Sequence, residues 1–346
     1  KQAKQLARTK GWELFRIDSK GSIIALQGID GNGHPLYLIT NNNIRSAATI
    51  STDKLWPGGS TGLNLSGSKT SLKDKLAIWD GALARLTHRE FQSRVKVGDG
   101  ASGSQDHSTH VAGTMIAAGI NPVAKGMAFK APSLISFDFD NDDAEMAEAA
   151  TKYNLLVSNH SYGNIAGWRY NDSRAGTTTD PNWEWWGEEG KFEDYKFGIY
   201  NSSVAAWDQI AFNAPYYLIV KSAGNNQDQN GPAVGSPYYQ RNSAGVFTLH
   251  PQRQANAISS NNSYDNLSTN CNAKNTLVIG AISGLTNGYT RASDVILGSF
   301  SSWGPTDDGR IKPDLVANGI NVLSTFSGSD DAYGTLSGTS MAAPSV

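Results

Sequence analysis

Five apolar runs recur along this chain with helix-like segments between several of them, and that alternation limits the available folds more than any other feature. The runs are "LAIWD", "SLISFDF", "NLLVSNHSYG", "YYLIVKSAGN" and "TLVIGAI". Each is short, apolar on consecutive positions and bounded by polar or glycine-rich residues, the pattern of a strand buried on both faces. "HSTHVAGTMIAAG" and "DDAEMAEAATKY" read as helices, and "NSSVAAWDQIAF" places Val204, Trp207 and Ala211 on one helical face. Strands alternating with helices predict an α/β fold, a mainly parallel sheet covered by helices on both sides. In such sheets ligands gather at the carboxyl ends of the strands. Polar residues interrupt the runs there: Asp80, Asn159 to Gly163, and Gly224 to Asn226.

Residues 1–46 differ in pattern. "KQAKQLARTKG" is a basic helix ending at Gly11, and "SIIALQGIDGNGHPLYLIT" reads as two strands around a glycine-rich turn. A helix with a hairpin is too small for a core of its own, so this small α+β piece is expected to lean on the rest. The larger unit is 47–346, and a Pro/Gly-rich connector, "LWPGGSTGLNLSG", lies near its start. The whole chain's hydrophobic share of 39% supplies a core, and its formal net charge of −2 provides no global field for nucleic acid or an anionic membrane. No apolar run approaches the roughly 18 residues of a membrane span. Cys271 is the single cysteine, which excludes an intramolecular disulfide and a Cys-based zinc site.

Several residues carry chemistry. Ser340, in "GTSMAAP", lies at the first turn of a helix; it reads either as an N-cap or as a nucleophile favoured by free N–H groups. His107 opens the helix "DHSTHVAGTMIAAG", with His110 one turn on. A metal-binding pair lacks the acidic base of HExxH and a third ligand at recognisable spacing, so His110 reads as structural. Asp80 ends a buried strand, where it can cap a turn or hold an imidazole. Asn225, in "VKSAGNN", is a turn residue or an amide donor to an oxyanion.

Together, in the order Asp, His, Asn, Ser, these motifs resemble the subtilisin-like serine peptidases. "WDGA", "HSTHVAGT", "SAGNN" and "GTSMAAP" carry the resemblance, with "SFSSWGPTDDGRIKPDLVANG" ahead of the last, over about Leu55 to Val346. The sequence is most similar to a secreted gliding-bacterium branch. The resemblance implies a three-layer subtilisin-like fold and an endopeptidase acting through an acyl-enzyme. It makes Ser340 the nucleophile, His107 the general base and acid, and Asp80 the residue that orients the imidazole. Asn225 and the backbone N–H of Ser340 would form the oxyanion hole. Ser161, Tyr162 and Gly163, with Ser222, Ala223 and Gly224, would form the two walls of the primary specificity pocket. Ser108 departs from the family, which commonly has glycine between the histidine and threonine.

The same resemblance makes 1–46 a prosegment of a zymogen, cut near "IRSAATIS", and the location extracellular, with protein or peptide substrates and no cofactor needed for catalysis. Structural Ca²⁺ is expected by family only: "DFDNDDAE" has Asp143 where an EF-hand loop needs glycine. The chain begins at Lys1 without an initiator Met and ends six residues after Ser340. The expectation is therefore a processed start and a missing C-terminal part of the same polypeptide. Two insertions, the aromatic-rich 164–200 and about 227–260, border the active edge. Their rings either pack on the insertion itself or shape the cleft for extended or apolar peptides. An α/β-hydrolase is excluded by motif order, since its Asp and His would follow the serine. A subtilase-like domain retained only for binding is the remaining non-enzyme reading.

Overall fold

A computed structural model describes residues 2–17, 23–29, 35–39, 41–255, 258–259 and 265–346. Helix α1 (Gln2–Lys10) stops at Gly11, whose φ of 69° is a left-handed turn that glycine adopts without a Cβ clash. α1 packs against β2 (Ile23–Ile29), the middle strand of an antiparallel sheet with β1 (Phe15–Ile17) and β3 (Pro35–Ile39). The glycine-rich turn read between β2 and β3 lies, at 30–34, outside the described residues.

The chain then enters the larger body. β4 (Asn41–Asn42) leads into α2 (Asn43–Thr49), where Asn43, Ser46 and Ala47 are each 0% exposed. Asn43 Nδ2 donates to the Ala124 carbonyl, and Asn318 Nδ2 to Ser46 Oγ. The boundary read at residue 46 therefore falls inside a buried helix.

Next come β5 (Leu76–Asp80), β6 (Val95–Val97), α3 (Asp106–Ile116), β7 (Leu134–Asp138), α4 (Asp142–Tyr153) and β8 (Val157–His160). β9 (Trp168–Tyr170), β10 (Trp183–Trp185), α5 (Ser202–Asn213), β11 (Leu218–Ser222), β12 (Tyr238–Arg241) and β13 (Phe247–His250) follow. The last elements are β14 (Leu277–Ile282), β15 (Leu315–Asn318), β16 (Val322–Thr325), β17 (Tyr333–Leu336) and α6 (Thr339–Ala342). The central sheet has seven strands in the order β15-β14-β11-β8-β5-β7-β6, and every pair is parallel. All five apolar runs are in it. β16 sits apart, between β17 and β4.

Alternation along β5 explains the three layers. Ala77 and Trp79 join Met146, Val204 and Trp207 of α4 and α5 on one face, while Ile78 joins Val111, Ala112 and Met115 of α3 on the other. Both faces are buried, hence an uninterrupted apolar run. Asp80, two residues after Ile78, belongs to the α3 face. The chain runs outward from β5 to β6 and β7, then crosses back to β8, so the direction of winding switches between β5 and β8. A crevice opens at the carboxyl ends of strands around such a point.

The two insertions are one structure. Strands from both form a four-stranded sheet, β13-β12-β10-β9, in which β10 of the first pairs in parallel with β12 of the second. Trp168 and Trp185, each 0% exposed, pack there with Tyr238 and Ile258. These rings stabilise the insertion sheet by packing on one another.

Asp265 and Asp307 converge beneath Gly198, where any side chain would run into both carboxylates. Burial first, and then repulsion and hydrogen bonding from Asp307, push the Asp265 carboxyl up to about 7. An unfolded aspartate titrates near 3.9, so the folded state holds the extra proton between those values. The resulting stability is complete below about pH 4 and is lost as pH rises through about 7. Melting temperature measured from pH 5 to 8 should fall less steeply in Asp265→Asn than in the parent.

Candidate active site

Asp80 is 3% exposed at the end of β5, and His107 is the second residue of α3. His107 Nδ1 lies 2.8 and 2.9 Å from the two Asp80 carboxylate oxygens. An ionised carboxylate only accepts, so Nδ1 carries the proton and Nε2 is left as the basic nitrogen. Burial pulls the His107 pKa down, but the hydrogen bond and charge of Asp80 prevail, and the net shift is upward from 6.5.

The first turn of α3 is tied to the segment after β5. Ser108 Oγ donates to the Leu83 carbonyl at 2.7 Å, with the Gln105 carbonyl also near at 3.1 Å. Arg85 N donates to Thr109 Oγ1, which itself donates to the Gln105 carbonyl. The departure at Ser108 is thus a fully buried tether that uses its hydroxyl away from Asp80. Ser108→Gly loses that bond and adds a helical glycine, together about 2 kcal/mol. The expected result is a lower denaturation midpoint with no gain in peptide cleavage. His110, one turn on, donates from Nε2 to the Val322 carbonyl at 2.8 Å, and burial pushes its pKa down to about 4. The two rings serve different partners, and His110 is a neutral core residue.

Ser340 is the second residue of the short helix α6, which follows Gly338 at φ 156°. The backbone approaches closely here: a Cβ on Gly338 would stand 3.2 Å from Asn225 Nδ2. Ser340 is 9% exposed. Its Oγ donates to the Ser161 carbonyl at 3.0 Å, and Ser161 Oγ returns a bond of 3.0 Å to the Ser340 carbonyl. The structure thus joins His107 to Asp80, and it engages the Ser340 hydroxyl with Ser161 instead of with the imidazole. α3 and α6 nonetheless share a core through Val111, Ala112, Met115 and Met341.

Asn225 follows β11 on an exposed turn. Its Oδ1 accepts from Thr339 N at 2.9 Å and from Thr339 Oγ1 at 3.0 Å. A backbone N–H can only donate, so this pair fixes which end of the carboxamide is oxygen. Nδ2 is left without a partner among the described residues. Thr339 Oγ1 also accepts from Gly224 N at 3.0 Å. One threonine thereby aligns both Asn225 and the wall Ser222 to Gly224, a role that sequence reading misses despite its place beside Ser340.

The opposite wall, Ser161 to Gly163, is held by a buried polar chain. Tyr162 Oη donates to Asp142 Oδ2 at 2.6 Å, so it must accept from His160 Nδ1 at 2.9 Å. His160 Nε2 then accepts from Ser158 Oγ at 2.7 Å, which accepts from Tyr217 Oη at 2.6 Å. Burial holds His160 neutral, its pKa well below 6.5, in keeping with that direction of donation. Nζ of Lys221 donates to the Tyr162 carbonyl. Between the walls lies a cavity of about 370 Å³ that reaches Asn225 and Ser340. The base of the first insertion borders it through Ile165, Arg169 and Tyr170. Among the described residues no group of three or more His, Cys, Asp or Glu side chains is arranged to hold a metal ion.

A parallel α/β sheet with an Asp–His pair and a serine at the helix start along its carboxyl edge defines a class, the subtilisin-like serine peptidases. The chain belongs to the subtilase family, whose sequence profile matches residues 62–346. It is 53% identical over 55 residues to C5a peptidase of Streptococcus pyogenes, a match covering 16% of this chain and 5% of that protein. It is 46% identical over 77 residues to cerevisin of Saccharomyces cerevisiae, covering 22% of this chain and 11% of that protein. The matches thus span small parts of both relatives. Among solved structures, the CspB protease of Clostridium perfringens shares the fold with a TM-score of 0.51. Its sequence identity is 17%, over 88% of this chain and 85% of that one.

Proposed function

We propose that this chain is a serine endopeptidase working through Asp80, His107, Ser340 and Asn225. The supporting observation is the Asp80–His107 pair, with Nε2 left basic, on the same sheet edge as Ser340 and Asn225. On substrate binding the Ser340 hydroxyl leaves the Ser161 carbonyl and donates to His107 Nε2. Ser340 Oγ attacks the peptide carbonyl carbon as Nε2 takes its proton. Asn225 Nδ2 and the Ser340 N–H donate to the oxygen that becomes negative. The imidazolium, stabilised by Asp80, returns the proton to the leaving amine as the C–N bond breaks, leaving an acyl-serine. Water then attacks the ester with the same base, releasing the acid and restoring Ser340.

A fluorophosphonate probe tests this directly. It should label Ser340, at a rate that rises with pH to a midpoint above 6.5, because a protonated imidazole cannot accept the serine proton and the His107 pKa is raised. Refusal of the probe by folded protein would sink the reading in favour of a binding domain.

The N-terminal helix and sheet, up to about residue 40, act in this reading as a prosegment. Beyond that point β4 pairs with β16 and α2 is buried, so a cut belongs before Asn41. An unchanged Lys1 in fully active enzyme would rule this out. We also infer an extracellular setting, from the single cysteine and the low charged share of 17%. Among the described residues no helix is long and apolar enough to cross a membrane. Detection of the protein only inside cells of its source organism would overturn secretion.

A further inference from the structure

A lysine inside the apolar run "YYLIVKSAGN" is anomalous, since buried lysines ordinarily have a charged partner. Lys221 is 1% exposed in the central strand β11. Two other well-shielded lysines follow the rule: Lys312 lies 2.7 Å from Asp314, and Lys196 lies 2.8 Å from Asp194. Lys221 forms no ion pair among the described residues. Its Nζ donates to the Tyr162 carbonyl, to the Ser222 carbonyl at 3.1 Å and, more weakly, to Ser222 Oγ at 3.4 Å. These acceptors are neutral oxygens, and the carboxylates of Asp142 and Asp80 favour the charge only through space, so the buried ammonium lacks an ion pair, which is costly. Burial accordingly lowers its pKa.

That ammonium borders the cavity beside Ser340. The charged residues lining the cavity are Lys221 and Arg169, with no aspartate or glutamate, in a chain whose formal net charge is −2. The space above Nζ is open. A Cβ placed on Gly163 would point into it, 3.8 Å from Lys221 Nζ and 3.6 Å from Ser268 Oγ. Ser268 Oγ has no partner among the described residues. The pocket therefore offers an unpaired cation and a hydroxyl between two walls, beside the serine and the asparagine amide. A group entering from Ser340 meets donors and positive charge.

We propose that this pocket takes an acidic side chain, its carboxylate set against Lys221 and Ser268, so that the enzyme cuts on the carboxyl side of glutamate or aspartate. The inference rests on the peptidase reading and deepens it. The residue whose carbonyl is attacked by Ser340 places its side chain between Tyr162–Gly163 and Ser222–Gly224. An apolar side chain there would leave Lys221 buried and unpaired, while a carboxylate supplies the missing charge.

The test is a set of fluorogenic peptides differing only at the residue before the cut: Glu, Asp, Gln, Leu. The wild-type enzyme should favour Glu or Asp over Gln by about 10- to 100-fold in kcat/KM, the range of a hydrogen bond to a charged group. In Lys221→Met the Glu-to-Gln ratio should fall to about 1 while the Gln peptide is still cut. Equal cleavage of Glu, Gln and Leu peptides by the wild type overturns the acid preference alone, and does so even if the variant fails to fold. An equal loss on all peptides in Lys221→Met, with the ratio unchanged, assigns the lysine to holding the walls and also overturns it. Absence of both cleavage and probe labelling in the wild type removes the peptidase reading itself.

Discussion

Ser340→Ala should lower kcat about 10⁶-fold, His107→Ala should do the same, and the double variant should be no worse than either. The size is that shown by subtilisin itself, the handiest relative for scale. The shape of the result follows from the geometry. In the proposed mechanism His107 contributes by accepting one proton from one hydroxyl, through a nitrogen left basic by the Asp80 bond to Nδ1. Remove the hydroxyl and the base has nothing to activate; remove the base and the hydroxyl stays a poor nucleophile. Independent contributions would multiply, towards about 10¹²-fold, whereas a single unit saturates. Steady-state kinetics on one peptide, at matched concentrations of folded protein, separates the two cases. Additive losses would show that the residues do not act together. Since Ser340 Oγ bonds to the Ser161 carbonyl, the proposed mechanism has substrate displace that bond before the unit forms.

Asn225→Leu should cut kcat by about 10²–10³-fold with KM little changed. Leucine keeps the bulk of the side chain and removes the amide. The carboxamide oxygen is engaged by Thr339 N and Oγ1, so the nitrogen is presented in one orientation before substrate arrives. A donor fixed in advance acts on charge that exists only in the transition state, so its loss appears in kcat and spares binding. Thr339→Val, which removes Oγ1 and keeps the backbone donor, should give a smaller loss in the same parameter. A rise in KM with kcat unchanged would move Asn225 from the oxyanion to substrate binding.

Much of the layout is legible in the amino-acid order because burial leaves a mark there. β5, β7, β8, β11 and β14 are shielded on both faces, so their residues are apolar in succession. The edge strands β6 and β15 are short and partly exposed, and give no such run. Asp80, His107 and Asn225 stand out as polar residues at strand ends and a helix start. Thr339 and Asp142 act through partners remote in sequence, as when Tyr162 meets Asp142, and no local pattern records that. Lys221 does leave a trace, a charge within an apolar stretch, which a reading tuned to motifs passes over. The boundary read at residue 46 falls within α2, whose short run "NIRSAAT" has no apolar pattern of its own and is buried only by tertiary contact.

The shared sheet of the two insertions constrains what can be exchanged among relatives. Glu184 pairs with Tyr239 across a gap filled by α5 and β11, so each segment completes the other's hydrogen bonds. A chimera that receives one segment alone inherits an unpaired strand edge and a tryptophan stripped of its cover. Both must be grafted, or neither. A swap with a single breakpoint between them should therefore melt at a lower temperature than one that carries both.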